Sequence, residues 1–230
     1  MPIHNGADAL VDLVVLDIAG TTVQEHGSVY VALHDAVAAA GGEPSSLDVA
    51  HWMGADKHEA IAALLSTDLR TRAGVTRRSL SSTKTSALEQ AYRQRPPTPM
   101  DGVPQALARL RRQGVKVALT TGFTREVTSS LLGSLGWDDA VVDAVVTVDD
   151  VRDGRPAPYM IFRSMEVAAV TDVSRVLVAG DTTRDLQAGT NAGAGFVVGV
   201  LSGAMTAAAL GRVRQTHLLA GVGDIPHLVL

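Results

Sequence analysis

Five short runs of almost uninterrupted apolar residues constrain this chain more than any other feature. They are residues 12–17 (DLVVLD), 115–120 (VKVALT), 144–147 (AVVT), 175–180 (RVLVAG) and 195–200 (GFVVGV). A strand wetted on one side alternates apolar and polar residues, whereas one apolar on both sides is covered on both faces, as in a parallel sheet. Helical patterns separate these runs at 103–113, 124–135, 159–168 and 183–191. Strand and helix in alternation require crossover connections, so the expected fold is a doubly wound, Rossmann-like α/β core. One interval breaks the rhythm. From Gln24 to Thr98 no comparable strand occurs; the apolar spacing in VYVALHDAVAAA, HEAIAALL and TSALEQAY predicts helices. The stretch ends in a stiff Arg95-Pro96-Pro97-Thr98-Pro99 segment suited to a hinge strut. The expected organisation is a core built from 1–23 and 99–230, with 24–98 inserted after strand one as a helical cap. Such an insertion, placed above the carboxyl ends of the sheet, acts as a lid.

The bulk properties exclude several classes of function. With 46% apolar and 19% charged residues, the 230-residue chain can bury a sizeable core and is not intrinsically disordered. Twenty Lys and Arg stand against 24 Asp and Glu, a net charge of −4, so there is no general attraction for nucleic acid. The absence of cysteine removes disulfides, thiolate metal sites and Cys nucleophiles. The start, MPIHNGADAL, has no basic region followed by a long apolar run, and no segment reaches about 18 uninterrupted apolar residues. A cytoplasmic protein without a membrane span is expected. The seven histidines are scattered without zinc-ligand spacing. Arg70, Arg72, Arg77, Arg78 and Lys84 read as a solvated cap surface, and lack the interleaved aromatics of a single-strand nucleic-acid site.

Chemistry collects at the carboxyl ends of the strands, where open α/β sheets place their ligands. Strand one ends in Asp17-Ile18-Ala19-Gly20-Thr21-Thr22, a carboxylate beside a turn of backbone N–H groups. The next ends in Thr120-Thr121-Gly122 and opens a helix, which suits an anion. A third ends in Gly180-Asp181-Thr182-Thr183-Arg184-Asp185, with two carboxylates four residues apart. Carboxylates from separate strands near an anion site suggest Mg²⁺ and a bound phosphate. Arg155 adds a cation from the Asp153-Gly154-Arg155-Pro156-Ala157-Pro158 loop. Each piece also has an ordinary reading: Asp17 as a turn former, Asp181 as a cap of the helix near Thr183, Arg155 as a solvated side chain. Their order on one sheet is what joins them.

In that order the motifs resemble those of the haloacid dehalogenase-like hydrolases, over residues 12–203. The resemblance implies that Asp17 attacks phosphorus and Thr120 hydrogen-bonds the transferring group. It also implies that Arg155 balances charge, and that Asp181 ligates Mg²⁺ with Asp17 and the Ala19 carbonyl while Asp185 supports. Phosphoryl transfer depends on charge neutralisation and in-line positioning, which agrees. Most phosphatases of that superfamily carry a second Asp two residues after the nucleophile; here that residue is Ala19. The run Asp17-Ile18-Ala19-Gly20-Thr21-Thr22-Val23, with Thr121-Gly122-Phe123-Thr124-Arg125-Glu126 and the Arg155 loop, is similar to the phosphonatase (phosphonoacetaldehyde hydrolase) branch. That branch cleaves a carbon–phosphorus bond through a cap-domain Lys Schiff base in a Met-Gly-x-x-Lys segment, matched here by Met53-Gly54-Ala55-Asp56-Lys57. The resemblance thus makes Lys57 catalytic and places Ala19, Thr21, Met53, His58, Thr121, Gly122 and Arg125 around the substrate.

The local sequence bears on Lys57 independently. Asp56 and Glu59 fit an N-cap and N3 pair before the apolar pattern Ala60, Ile61, Leu64, Leu65. Lys57 then stands in a first helical turn, where the macrodipole disfavours a cation and favours the neutral amine, while Asp56 pulls the other way. A solvated helix Lys is the ordinary reading. The chain departs from the phosphonatase pattern at Gln24, where the branch carries Asp, at Gly27, one residue late, and at His58, adjacent to Lys57 instead of a few residues on. These positions lie in hinge and cap, so a branch acting on a related substrate stays open. The leading expectation is an Mg²⁺-dependent hydrolase converting phosphonoacetaldehyde to acetaldehyde and phosphate. The alternatives are a phosphatase acting on a small phosphate monoester, or a catalytically silent binding protein on the same fold. A homodimer is implied by the resemblance alone.

Overall fold

The computed structural model describes residues 9–39, 41–45, 63–64 and 92–230. The elements of the sheet and its helices are, in chain order, β1 (Leu13–Asp17), β2 (Val23–Gln24), α1 (Ser28–Ala39), β3 (Thr98–Pro99), α2 (Val103–Arg112), β4 (Lys116–Thr120), α3 (Arg125–Leu135), β5 (Ala144–Val146), α4 (Tyr159–Ala168), β6 (Val176–Gly180), α5 (Thr183–Ala192), β7 (Phe196–Val200), α6 (Ala207–Leu210), β8 (His217–Leu219) and α7 (Ile225–Val229). Six strands form one sheet in the order β5-β4-β1-β6-β7-β8, every pairing parallel. The five apolar runs became its first five strands in sequence, each within a residue of expectation. The edge strand β8 was not foreseen: three half-buried residues, His217–Leu219, carry no periodic signal.

Continuous apolarity in the strands follows from cover on both faces. Val14 and Leu16 of β1, Val117 and Leu119 of β4 and Leu177 of β6 point to a face packed by Leu107 and Leu110 of α2, Leu131 of α3 and Ile225 of α7. Leu13 and Val15, with Ala118 and Val178, point to the other, against Ile161 and Met165 of α4 and Ala188 of α5. Adjacent residues of one strand therefore serve opposite cores, as the pleat requires.

The chain runs outward from β1 through β4 to β5, then crosses to β6 on the far side of β1. The direction of winding reverses between β1 and β6, and a crevice opens there beyond the carboxyl ends. The register delivers named residues to it: Asp17 pairs with Thr120 across β1 and β4, and Leu16 pairs with Ala179 across β1 and β6.

Of the stretch 24–98, the structure describes α1, where a helix was expected, the short pieces 41–45 and 63–64, and the two ends. Those ends meet: Val23 pairs with Pro99 and Gln24 with Thr98 in an antiparallel ribbon. Met53, Lys57 and His58 lie outside the described residues, as does most of the expected cap. Among the described residues, no helix is long and apolar enough to cross a membrane.

Leu16 is fully buried in the central strand. Leu16→Ala is expected to cost about 2–5 kcal/mol, the range for emptying a Leu site in a core. Urea unfolding checks this: the midpoint falls while the slope stays that of the parent.

Candidate functional site

Asp17 closes β1, and the chain turns sharply behind it. Thr21, Thr22 and Val23 donate their N–H groups to the Ile18 carbonyl, and Gly20 donates to Val23. Gly20 makes the turn possible with a φ of 82°, and the Thr22 hydroxyl donates to the Asp17 carbonyl at 2.9 Å. Within this set the Ala19 carbonyl is left without a hydrogen-bond donor among the described residues.

On β6, Gly180 lets a second carboxylate in. A Cβ at Gly180 would stand 2.2 Å from the Asp185 Cγ. Asp185 sits in the first turn of α5 and closes a capping box, accepting from the Thr182 N–H at 3.0 Å and the Thr182 hydroxyl at 2.6 Å. Thr182, not Asp181, is the N-cap, so the ordinary reading of Asp181 as a helix cap is removed. Asp181 instead points into the crevice, accepting from the Thr21 hydroxyl at 3.1 Å and the Ala204 N–H at 2.7 Å.

Arg155 is not a solvated side chain either. It is 5% exposed, and its guanidinium lies 2.6 Å from Asp17 and pairs with Asp185 as well. Asp17, Asp181 and Asp185, all buried, offer oxygens within 4.8 Å of one another. Three carboxylates facing one guanidinium leave negative charge uncompensated in a dry site, and the donors are all hard oxygens. That set fits a divalent cation of the Mg²⁺, Ca²⁺ or Mn²⁺ type.

The charge imbalance shows in the acid–base behaviour. Burial pushes Asp17 up to about 7, opposed by Arg155 and reinforced by Asp185 and Asp181. Burial, and then Asp185, push Asp181 up to about 6, against the Ala204 N–H and the Thr21 hydroxyl. Burial disfavours the charge on Arg155, but Asp17 and Asp185 outweigh it and hold the guanidinium more strongly protonated than usual.

The other predicted residues fall as follows. Thr120 is buried beside Asp17 in the β1–β4 register. Thr121 is buried too; its N–H donates to Val146 and its hydroxyl accepts from Phe123, shaping the turn that contains Gly122. Arg125 goes elsewhere. Its side chain, 64% exposed, pairs with Asp150, its backbone N–H donates to Asp149, and it lines a hollow with Thr128, Ser129 and Trp137. Sequence reasoning missed Ser202, Gly203 and Ala204, which follow β7 and touch the Gly20 turn and Asp181. A Ser-Gly pair just past a buried strand, at the same end of the sheet as the other motifs, was the available signal.

A family model described as haloacid dehalogenase-like hydrolase matches residues 11–193. The chain belongs to that family. Among curated proteins it is 38% identical over 106 residues to a phosphonoacetaldehyde hydrolase of Bacillus cereus, a match covering 46% of this chain and 40% of that protein. The chain thus spans well under half the length of the curated relatives it matches. Among solved structures, a hydrolase from Pseudomonas syringae superposes with a TM-score of 0.80 at 21% identity, over 94% of this chain and 97% of the other. A phosphonoacetaldehyde hydrolase-like protein from Oleispira antarctica superposes with a TM-score of 0.79 at 19% identity, over 99% and 95%. At such identities these two likenesses bear on the fold alone.

The raised carboxyls give a pH prediction. In the cation-free protein, Asp17 and Asp181 hold protons in the folded chain at pH values where the unfolded chain, near its ordinary 3.8, has lost them. Their contribution to stability therefore falls as pH rises from about 4 to 7, because the native state binds the extra protons. A divalent cation held by the ionised carboxylates would remove that penalty. Its stabilising effect on Tm should accordingly grow between pH 5 and 7.5; a constant effect across that range would contradict the assignment.

Proposed function

We propose that this haloacid dehalogenase-like hydrolase cleaves a carbon–phosphorus bond, with phosphonoacetaldehyde as its substrate and Mg²⁺ as its metal. One observation carries the reading. The position two residues after Asp17, where phosphatases of the family hold a proton-donating Asp, is Ala19, a methyl group in the Gly20 turn whose carbonyl meets no hydrogen-bond donor among the described residues. An alkoxide leaving group needs a proton; a carbon leaving group whose electrons are taken up elsewhere does not. The partial identity to phosphonoacetaldehyde hydrolase supports the same choice.

The residues divide the work. Lys57, the match to the Schiff-base Lys of the phosphonatase branch, condenses with the substrate aldehyde and releases water, giving an iminium. Asp17 attacks phosphorus. The carbon–phosphorus bond breaks, its electron pair moves into the iminium, and an enamine leaves with the phosphoryl group on Asp17. Water then attacks that acyl phosphate and releases inorganic phosphate, while protonation and hydrolysis of the enamine free acetaldehyde and Lys57. Arg155 and Thr120 hold the phosphoryl oxygens, and Arg155 keeps Asp17 ionised for attack. Asp17, Asp181 and the Ala19 carbonyl would hold Mg²⁺, which would neutralise charge on the transferring group. Asp185 keeps Arg155 in place. Met53, His58, Thr121 and Gly122 complete the substrate pocket, and the cap formed by 24–98 excludes water.

Phosphate release from phosphonoacetaldehyde, measured beside a panel of phosphate monoesters with and without Mg²⁺, tests the reading. Release from the phosphonate, dependent on Mg²⁺ and abolished in Asp17→Asn, is expected, since an amide cannot form the acyl phosphate. Release from several monoesters but not from the phosphonate sinks it in favour of a monoesterase.

The Schiff base has its own test. Acetaldehyde with borohydride should inactivate the protein and add mass at Lys57. Lys57→Arg, whose side chain has a pKa above about 12 and offers no neutral amine, should be inactive. Labelling at another Lys, or full activity in Lys57→Arg, removes the carbon–phosphorus mechanism and leaves a generic hydrolase.

A further inference from the structure

The Asp181 carboxylate is held by more than its own strand. It lies between two glycine α-carbons from distant parts of the chain. A Cβ at Gly20 would come within 2.5 Å of its Oδ2, and a Cβ at Gly203 within 2.1 Å. Neither distance can be accommodated without moving the carboxylate. The same Oδ2 accepts the Ala204 N–H at 2.7 Å, and Oδ1 accepts the Thr21 hydroxyl at 3.1 Å. The two clamping segments are joined to each other, because the Ser202 hydroxyl donates to the Gly20 carbonyl at 2.9 Å. Asp181 therefore has one orientation set by two loops, one after β1 and one after β7.

We propose that Ser202, Gly203 and Ala204 form a positioning element for the cation site, fixing which oxygens Asp181 turns toward Asp17. This rests on the cation reading above. Each residue has a separate task. Gly203 leaves the space that the carboxylate occupies. The Ala204 N–H consumes one lone pair of Oδ2 and so limits the rotation of the group. Ser202 ties the turn to Gly20 and, through it, to the loop that carries the Ala19 carbonyl. Partners that orient a metal-binding carboxylate typically change metal affinity 10–100-fold when lost, without touching the ion.

The test is Mg²⁺ binding by the EDTA-treated full chain, measured by titration calorimetry, with thermal unfolding in EDTA as the check on folding. Gly203→Ala should weaken Mg²⁺ binding about tenfold or more while unfolding stays cooperative. Ser202→Ala should weaken it as well, and Ser202→Thr, which retains the hydroxyl, should restore it. Gly221→Ala is the control: its new Cβ meets only Ser202, at 3.9 Å, on extended backbone, and should leave binding unchanged. Should Gly203→Ala fail to fold, the Ser202 pair decides. Parental affinity in the folded Gly203→Ala and in Ser202→Ala overturns the inference while leaving the cation site intact. A parent that binds no Mg²⁺ overturns the cation reading, and the inference falls with it.

Discussion

The contact between Arg155 and its two carboxylates is the constraint around which this core is arranged. Taking an ion out of water costs several kcal/mol, and a buried pair offsets that only when geometry and extra hydrogen bonds are good. Here Asp17, Asp185 and Arg155 are each at most 6% exposed, so none relies on solvent. Asp185 is further satisfied by Thr182, and Arg155 spans β1 and α5 through the two acids. Among the described residues no cation touches Asp181, whose carboxylate instead accepts from the Thr21 hydroxyl and the Ala204 N–H. A sheet optimised for stability alone would have no reason to gather three acids there. The arrangement is intelligible as a site that stores negative charge for a cation.

Much of the surrounding structure serves that storage. Gly180 and Gly203 are glycines because a carboxylate occupies the space of a side chain, and Gly20 combines that crowding with a left-handed turn. The Arg155 loop is held from below by α5, which supplies the Arg184 side chain to the Arg155 carbonyl at 3.4 Å and Asn191 to the Pro156 carbonyl at 2.8 Å. Arg184 and Asn191 are seven residues apart, two helical turns, and so face the same way. Ala188 between them packs with Ile161 of α4. One helix thus positions Asp185 and the backbone of the residue that Asp185 binds.

The core was legible because its two requirements leave strong marks in sequence. Strands covered on both faces must be continuously apolar, and Val14 beside Val15, each serving a different core, is that rule in two residues. Motif order then gave Asp17, Thr120, Arg155, Asp181 and Asp185. What escaped was set by contacts between remote segments. Nothing near Arg125 announces that Asp150 will take its guanidinium, since the pairing depends on where the turn after β5 falls. Nothing around Ser202 reveals Gly20 as its partner, 182 residues away in sequence. The ordinary readings of Asp181 and Arg155 failed for the same reason. Burial is a property of the assembled sheet, and a single residue with its neighbours carries no trace of it.

The ribbon of β2 and β3 shows how the two ends of the 24–98 stretch are related to Asp17. Only two residue pairs form it, and a ribbon so narrow has little stiffness of its own. Its base is another matter. Met100, on the returning arm, donates its N–H to the Thr22 carbonyl at 2.9 Å, and the Thr22 hydroxyl in turn donates to the Asp17 carbonyl. Val23, the first ribbon residue, is fully buried in the main core, as is Val103 just beyond the returning arm. The outgoing and returning arms are therefore anchored to the same turn that presents Asp17. Any bending would concentrate in the pairs above that anchor, because the turn below is held by four hydrogen bonds to Ile18 and Val23 and by core packing. A segment carried on such a ribbon could change its distance to the crevice while Asp17 and Arg155 kept their geometry. That division between a soft pivot and a fixed Asp17 is what the proposed phosphoryl transfer under a moving cap would require.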